Sequence, residues 1–150
     1  MLKSTLFIIL FFSLTSIQKS EAIQEEKTGT LKIGLSNIRN NNGYIYIFLY
    51  QYDNQYPYNP YKHYKVDKSK VKDGVLIAKI SNLAFRTNYA ISLIDDENNN
   101  EDLDRWLGIP HEGYGFSNNV KPFLSLPKYN DLCFDFKQSK NTKIKLQYVL

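Results

Sequence analysis

From Thr30 onward, apolar residues return at every second position. Leu31, Ile33 and Leu35 alternate with Thr30, Lys32, Gly34 and Ser36, the pattern of a strand with one buried face. Residues 44–50 (YIYIFLY) are apolar on both faces, and their β-branched and aromatic content predicts a central strand covered on two sides. Between these runs, Asn40-Asn41-Asn42-Gly43 tolerates positive φ, so the expectation is a hairpin joining 30–37 to 44–50. Tyr89, Ile91 and Leu93 alternate with Ala90, Ser92 and Ile94, and near the end Ile144, Leu146 and Tyr148 alternate with Lys143, Lys145 and Gln147. Shorter runs at 75–80, after a Lys72-Asp73-Gly74 turn, and at 132–136 complete the set. No stretch sustains a helical period beyond a turn of helix near 103–107. Short strands divided by Asn, Gly and Pro predict an all-β chain, an antiparallel β-sandwich of about seven strands with an immunoglobulin-like or transthyretin-like Greek key.

The N-terminus reads differently. Lys3 precedes the short apolar run 6–14, and a polar stretch then ends in Ser20-Glu21-Ala22. This order describes a secretory signal peptide over residues 1–22, cleaved before Ile23. The run falls short of the roughly 20 apolar residues that span a bilayer, so no stable membrane insertion is expected after cleavage. The expected location is extracytoplasmic, periplasmic or secreted, and residues 23–150 are the size of one domain. The whole chain carries a formal net charge of only +4, and its lysines are scattered among acids. Nucleic-acid binding asks for a clustered basic footprint and is not expected. Cys133 is the single cysteine, so no internal disulfide forms; between Leu132 and Phe134 it reads as a small buried hydrophobe.

Two stretches carry possible chemistry. The first, residues 50–64 (YQYDNQYPYNPYKHY), is a long loop or irregular edge, because Pro57 and Pro60 exclude a helix or central strand. Its tyrosines suit a surface for a glycan or protein partner, since Tyr combines a flat apolar face with a polar tip; the favoured reading is that several of the rings fold down over an open end of the sandwich. Tyr56, Tyr58 and Tyr61, with Trp106 and Tyr114 further on, are the candidate partner-surface residues.

The second stretch is residues 95–119, DDENNNEDLDRWLGIPHEGYGFSNN. Asp96, Asn98, Asn100, Asp102 and Asp104 place oxygens at alternate positions, as a loop curling around Ca²⁺ does. In an EF-hand count from Asp96, Asp102 contributes its carbonyl and position twelve is Leu107, so the closing carboxylate falls to Glu112 folding back. The sixth position is Glu101, where such a loop prefers Gly for its sharp turn. The alternative is a solvated turn whose Asn and Asp side chains bond their own backbone. Gly108, Gly113 and Gly115 are expected to allow backbone turns that other residues would resist, and at least two of Trp106, Tyr114 and Phe116 to pack beneath the loop.

GIPHEGYGFSNN directly after DDENNNEDLD, with an early GTLKI strand and a YAI strand ending in Asp, resembles a bacterial secreted family known as domain of unknown function 2141. The resemblance covers nearly the whole mature chain and implies an extracytoplasmic β-sandwich with the same D-x-N-x-N-x-x-x-D loop. It implies no activity. That family often has Gly where this chain has Glu101.

Two functional classes therefore stand side by side. One is a secreted binding or structural module, stiffened by Ca²⁺ and presenting the 50–64 and 106–119 loops. The other is an extracytoplasmic hydrolase using Asp95, Asp96, Glu112 and His111. The chain has no HExxH, no phosphate-binding Gly loop and no cysteine pair for zinc. Gly115-Phe116-Ser117 lacks the second Gly of a nucleophile elbow. No catalytic residue is assigned.

Overall fold

The computed structural model describes residues 27–122, 125–137 and 141–149. The leader expected over 1–22 lies outside them. Ten strands and one short helix follow in order: β1 (Thr28–Ser36), β2 (Tyr44–Tyr50), β3 (Lys62–Asp67), β4 (Leu76–Ala84), β5 (Thr87–Asp96), β6 (Arg105–Trp106), β7 (Ile109–Pro110), β8 (Gly113–Phe116), α1 (Tyr129–Leu132), β9 (Phe134–Phe136) and β10 (Asn141–Lys145). One sheet has the order β10-β1-β4, and a larger one β3-β2-β5-β8, with β9 also on β5. Leu31, Ile33 and Leu35 from the first sheet meet Ile45, Ile47, Leu49, Ile91 and Leu93 from the second in one buried core. The protein is an all-β sandwich. Strand β10 runs parallel to β1, a departure from the antiparallel expectation.

The expected hairpin between 30–37 and 44–50 does not form. Strand β1 pairs with β4 and β10, while β2 pairs with β3 and β5, so the 37–43 segment crosses from one sheet to the other. Gly43 is what the crossing requires: its φ is +72°, and a Cβ there would lie 1.9 Å from the Asp96 carbonyl oxygen. Turn chemistry was read correctly and its partner was not. The turn of helix near 103–107 is also absent. Leu107 (φ +49°) and Gly108 (φ +81°) instead form the two-residue tip joining β6 to β7, the backbone of a type I′ hairpin.

The pleat sorts residues cleanly in the larger sheet. On β2 the odd positions Ile45, Ile47 and Leu49 face the core. Tyr50 packs on the opposite side with Ala90 of β5, Phe116 of β8, and Tyr129 and Leu132 of α1, a second cluster. Strand β2 is therefore covered on both faces, as its composition predicts. Gly113 and Gly115 sit in strand β8, not in turns. They are small because Cβ atoms there would meet the Tyr148 ring at 2.5 Å and Ile144 at 2.8 Å. On the smaller sheet, Lys32 of β1 stands opposite Lys79 of β4 in register, and Lys143 and Lys145 of β10 are exposed as they are. Sequence scatter thus becomes a local concentration of lysine on one face.

Two glycines with similar φ separate backbone strain from crowding. Gly43→Ala is expected to destabilise by roughly 2–5 kcal/mol, combining left-handed strain with a backbone clash. Gly108→Ala, with nothing within 4 Å of its Cβ, should cost only about 1–2 kcal/mol. Chemical denaturation of both variants checks the difference.

Candidate functional site: an acidic loop beside an apolar cavity

Strand β5 delivers the site, and its alternation splits the two aspartates. Tyr89, Ile91 and Leu93 belong to the core between the sheets, and Asp95 continues that row. Asp96 lies on the other side with Ala90, Ser92 and Ile94. Both carboxylates are fully buried. Asp95 accepts from Lys68 Nζ at 2.5 Å and from Tyr148 Oη at 2.5 Å, and Lys68, itself fully buried, also donates to Asn40 Oδ1 at 3.0 Å. Burial pushes Asp95 above the usual carboxylate range, against the lowering effect of these two donors. Burial and the adjacent Asp95 carboxylate push Tyr148 up. Arg39 reaches Glu97 through two 2.7 Å hydrogen bonds and stacks 4.6 Å over the Tyr148 ring. Burial alone would raise Glu97, but its bonds to Arg39 and Asn40 hold it below its ordinary value. Asp95 is committed to this network.

Asp96 opens the loop. Its Oδ1 accepts from Asn100 N at 3.2 Å and its Oδ2 from Glu101 N at 3.0 Å. Asn98 Oδ1 accepts from Asn100 N and Asn100 Oδ1 from Asp102 N, both at 3.0 Å. The amide nitrogens of Asn98 and Asn100 converge on Asp104, at 2.7 and 2.8 Å from its two oxygens. Glu101 makes the sharp turn without being glycine, at φ +66°. Its side chain accepts from Tyr46 Oη at 3.1 Å and Lys65 Nζ at 3.2 Å, which anchors the strained residue from outside. Glu112 does fold back: Oε1 accepts from Glu97 N at 2.8 Å and Oε2 from Asp104 N at 3.2 Å, so one carboxylate clasps both ends of the loop.

The structure thus brings together Asp96, Asn98, Asn100, Asp104 and Glu112. Asp102 is exposed, and its side chain caps Leu103 N at 2.7 Å instead of turning inward. Glu112 is almost wholly buried; burial raises its pKa, two backbone N–H groups lower it, and Asp104 and Asp96 raise it again. Among the described residues, no Lys or Arg side chain bonds Asp96, Asp104 or Glu112, and no group of three or more His, Cys, Asp or Glu is placed to hold a metal. With both Glu112 oxygens taken by backbone N–H groups, the donor set is instead mixed, the Asp96 and Asp104 carboxylates and the amide oxygens of Asn98 and Asn100. Each amide oxygen spends one lone pair on a backbone N–H and keeps another. That chemistry fits a hard cation.

His111 donates its backbone N–H to the Asp104 carbonyl at 2.8 Å, but its side chain makes no hydrogen bond to Glu112. Ser117, the serine of GFS, is fully buried and bonds the backbone of Ile91 and Leu132. Asn118 donates to the carbonyls of Asp131 and Cys133, and Asn119 spans Lys143 and Lys145. The SNN tripeptide ties β8 to α1 and β10. Cys133 is partly buried, less than the sequence suggested.

Beside the loop, the even-numbered face of the larger sheet floors a cavity of about 960 Å³. Phe48, Tyr50, Ser92, Ile94, Tyr114 and Phe116 form the floor; the 56–60 loop and the β6–β7 hairpin supply walls. Of the expected partner-surface residues, Tyr56, Tyr58 and Tyr114 line it, while Tyr61 and Trp106 are exposed outside it. Tyr50 Oη donates to the Pro57 carbonyl at 3.0 Å, which pins the loop to the floor. The Tyr56 hydroxyl is buried with no hydrogen-bond partner, and burial pushes its pKa up to about 12. Sequence reading missed Phe48, Ile94, Leu103 and Arg105 as lining residues; the available signal was apolar character on both faces of β2 and β5.

A family model described as an uncharacterized protein conserved in bacteria (DUF2141) matches residues 33–145. No curated protein and no solved structure matches the chain.

Two buried polar groups give opposite expectations. Lys68→Met strands the Asp95 carboxylate and should cost about 3–5 kcal/mol, most of it recovered when Asp95→Asn is added. Tyr56→Phe removes a hydroxyl that satisfies nothing, so stability should hold or rise by up to about 1 kcal/mol. Urea denaturation measures both.

Proposed function

The chain belongs to the DUF2141 family of uncharacterized bacterial proteins, and on that premise we propose an extracytoplasmic binding module stiffened by Ca²⁺. The observation that carries the metal is electrostatic. Asp96 and Glu112 are buried carboxylates; burial raises Glu112, the nearby Asp104 and Asp96 raise it further, and among the described residues no basic side chain bonds any of the three. A divalent cation held by Asp96, Asn98, Asn100 and Asp104, with the Asp102 carbonyl, supplies that missing charge. Glu112 keeps the loop closed from behind. The compartment is supported by the sequence of residues 1–22. The binding role is supported by the cavity, which the loop's own hairpin walls, and by the exposed ring of Tyr58 that lines it. Its partner is a glycan, a protein or a smaller ligand.

Thermal melts with millimolar Ca²⁺ and with chelator test the metal. With dissociation constants on the order of 10⁻⁴–10⁻³ M for extracellular sites, a tenfold excess should add about 1.4 kcal/mol of stability. Asp104→Ala should abolish the response, and Mg²⁺ should substitute poorly because it demands a tighter octahedral shell. Melts that coincide in calcium and chelator, on protein that elemental analysis finds metal-free, would reduce the loop to a self-bonded turn.

A further inference from the structure

Resting on the binding-module reading, we infer that the cavity takes an amphiphile with a single acyl chain and an anionic head. Its volume of about 960 Å³ is at the upper end of the roughly 300–1,000 Å³ typical of small-molecule sites. Its floor is the outer face of a sheet, where aromatic and aliphatic side chains stand with little polar relief. Ser92 Oγ already shares a hydrogen bond with Tyr50 Oη at 3.2 Å, and Tyr50 is committed to Pro57. A sugar, which carries hydroxyls around its whole edge, finds few partners there; an acyl chain needs none.

Charge decides the head group. Among the described residues, Arg105 is the one charged residue lining the cavity. It stands on β6, is exposed, and donates only to the Leu103 carbonyl at 3.3 Å. Among the described residues it makes no ion pair. Leu107, 82% exposed at the hairpin tip, continues the apolar wall outward from the same hairpin. One unpaired guanidinium on an apolar wall matches one carboxylate or phosphate at the end of a chain. A fatty-acid carboxylate and a lysophospholipid phosphate share that chemistry.

Isothermal titration calorimetry with octanoate, decanoate and dodecanoate, each below its micellar range, is the test. Saturable binding at one site is expected, tightening roughly tenfold for each pair of added methylenes. Dodecanol should bind more weakly than dodecanoate; Arg105→Gln should erase that difference while leaving dodecanol unchanged. Leu107→Asp, on an exposed tip where folding is not at stake, should weaken dodecanoate. A lysophosphatidic acid titration in the same series separates phosphate from carboxylate as the preferred head. Failure to bind dodecanoate, or affinity indifferent to chain length, overturns the acyl site. Equal affinity for dodecanol and dodecanoate overturns the anionic head. Calcium melts on the same samples keep the two proposals apart, because a calcium response without acyl binding defeats only this one.

Discussion

The buried contact between Lys68 and Asp95 is the constraint on which the other features rest. An unpaired ion taken out of water costs several kcal/mol, and attraction offsets this only when the geometry is good and the remaining donors and acceptors are filled. Here Tyr148 fills the second Asp95 oxygen and Asn40 takes a second Lys68 proton. These four residues come from the turn after β3, the end of β5, the segment after β10, and the crossover between β1 and β2. Hydrophobic contact alone is non-directional and leaves those four segments free to slide. The network fixes their register at one end of the sandwich. It also settles where Asp96 goes, because a strand cannot turn two successive side chains to one face.

The loop then follows from local chemistry. With Asp96 held, its two oxygens collect the N–H groups of Asn100 and Glu101, and Asn98 and Asn100 each accept from the N–H two residues on. Such Asx turns stabilise a loop without a regular ladder. Glu101 in a left-handed conformation is the strained point, at a cost of about 1–2 kcal/mol. Its ion pair with Lys65 is solvent-exposed and returns only a fraction of that, so the strain is borne mainly by the surrounding hydrogen bonds. Glycine at this position would relax the turn and forfeit the tether to β2 and β3.

Much of this was legible in the sequence, and the failures have physical causes. Period two identified β1 and β5, because alternating burial leaves a local signature, and β-branched and aromatic content identified β2 as a strand covered on both faces. The chemistry of Asn40–Gly43 says that the chain turns there, but not which strand it meets next; Gly43 is dictated by the Asp96 carbonyl, more than fifty residues away in sequence. Strand β3 was hidden by the prolines upstream and by its polar sequence, KHYKVD, which mimics a surface loop. Nothing around Lys68 marks it as buried. That Asp96, Asn98, Asn100 and Asp104 meet was readable because their contacts are local; Glu112 was expected to fold back because it lies close by, and it does so onto the backbone N–H groups of Glu97 and Asp104. The cavity was not, since its floor and walls come from several segments that meet only when β2, β5 and β8 align.

Loop and cavity are therefore one mechanical unit. The hairpin β6–β7 leaves the loop at Asp104 and returns at His111, and both points are held: the Asp104 carbonyl by His111 N, and Asp104 N by Glu112. Between them, the hairpin is mostly exposed, and two residues per strand do not form a stable ribbon alone. Its position over the cavity is thus set by how well the loop beneath it is ordered. Asp96, Asp104 and Glu112 make up that base, and the hairpin that rises from it carries Arg105 and Leu107. The lysine-bearing face of the other sheet lies on the opposite side of the core and shares none of these contacts, so its charge acts on this unit only through the long-range field, which salt screens within about 8 Å.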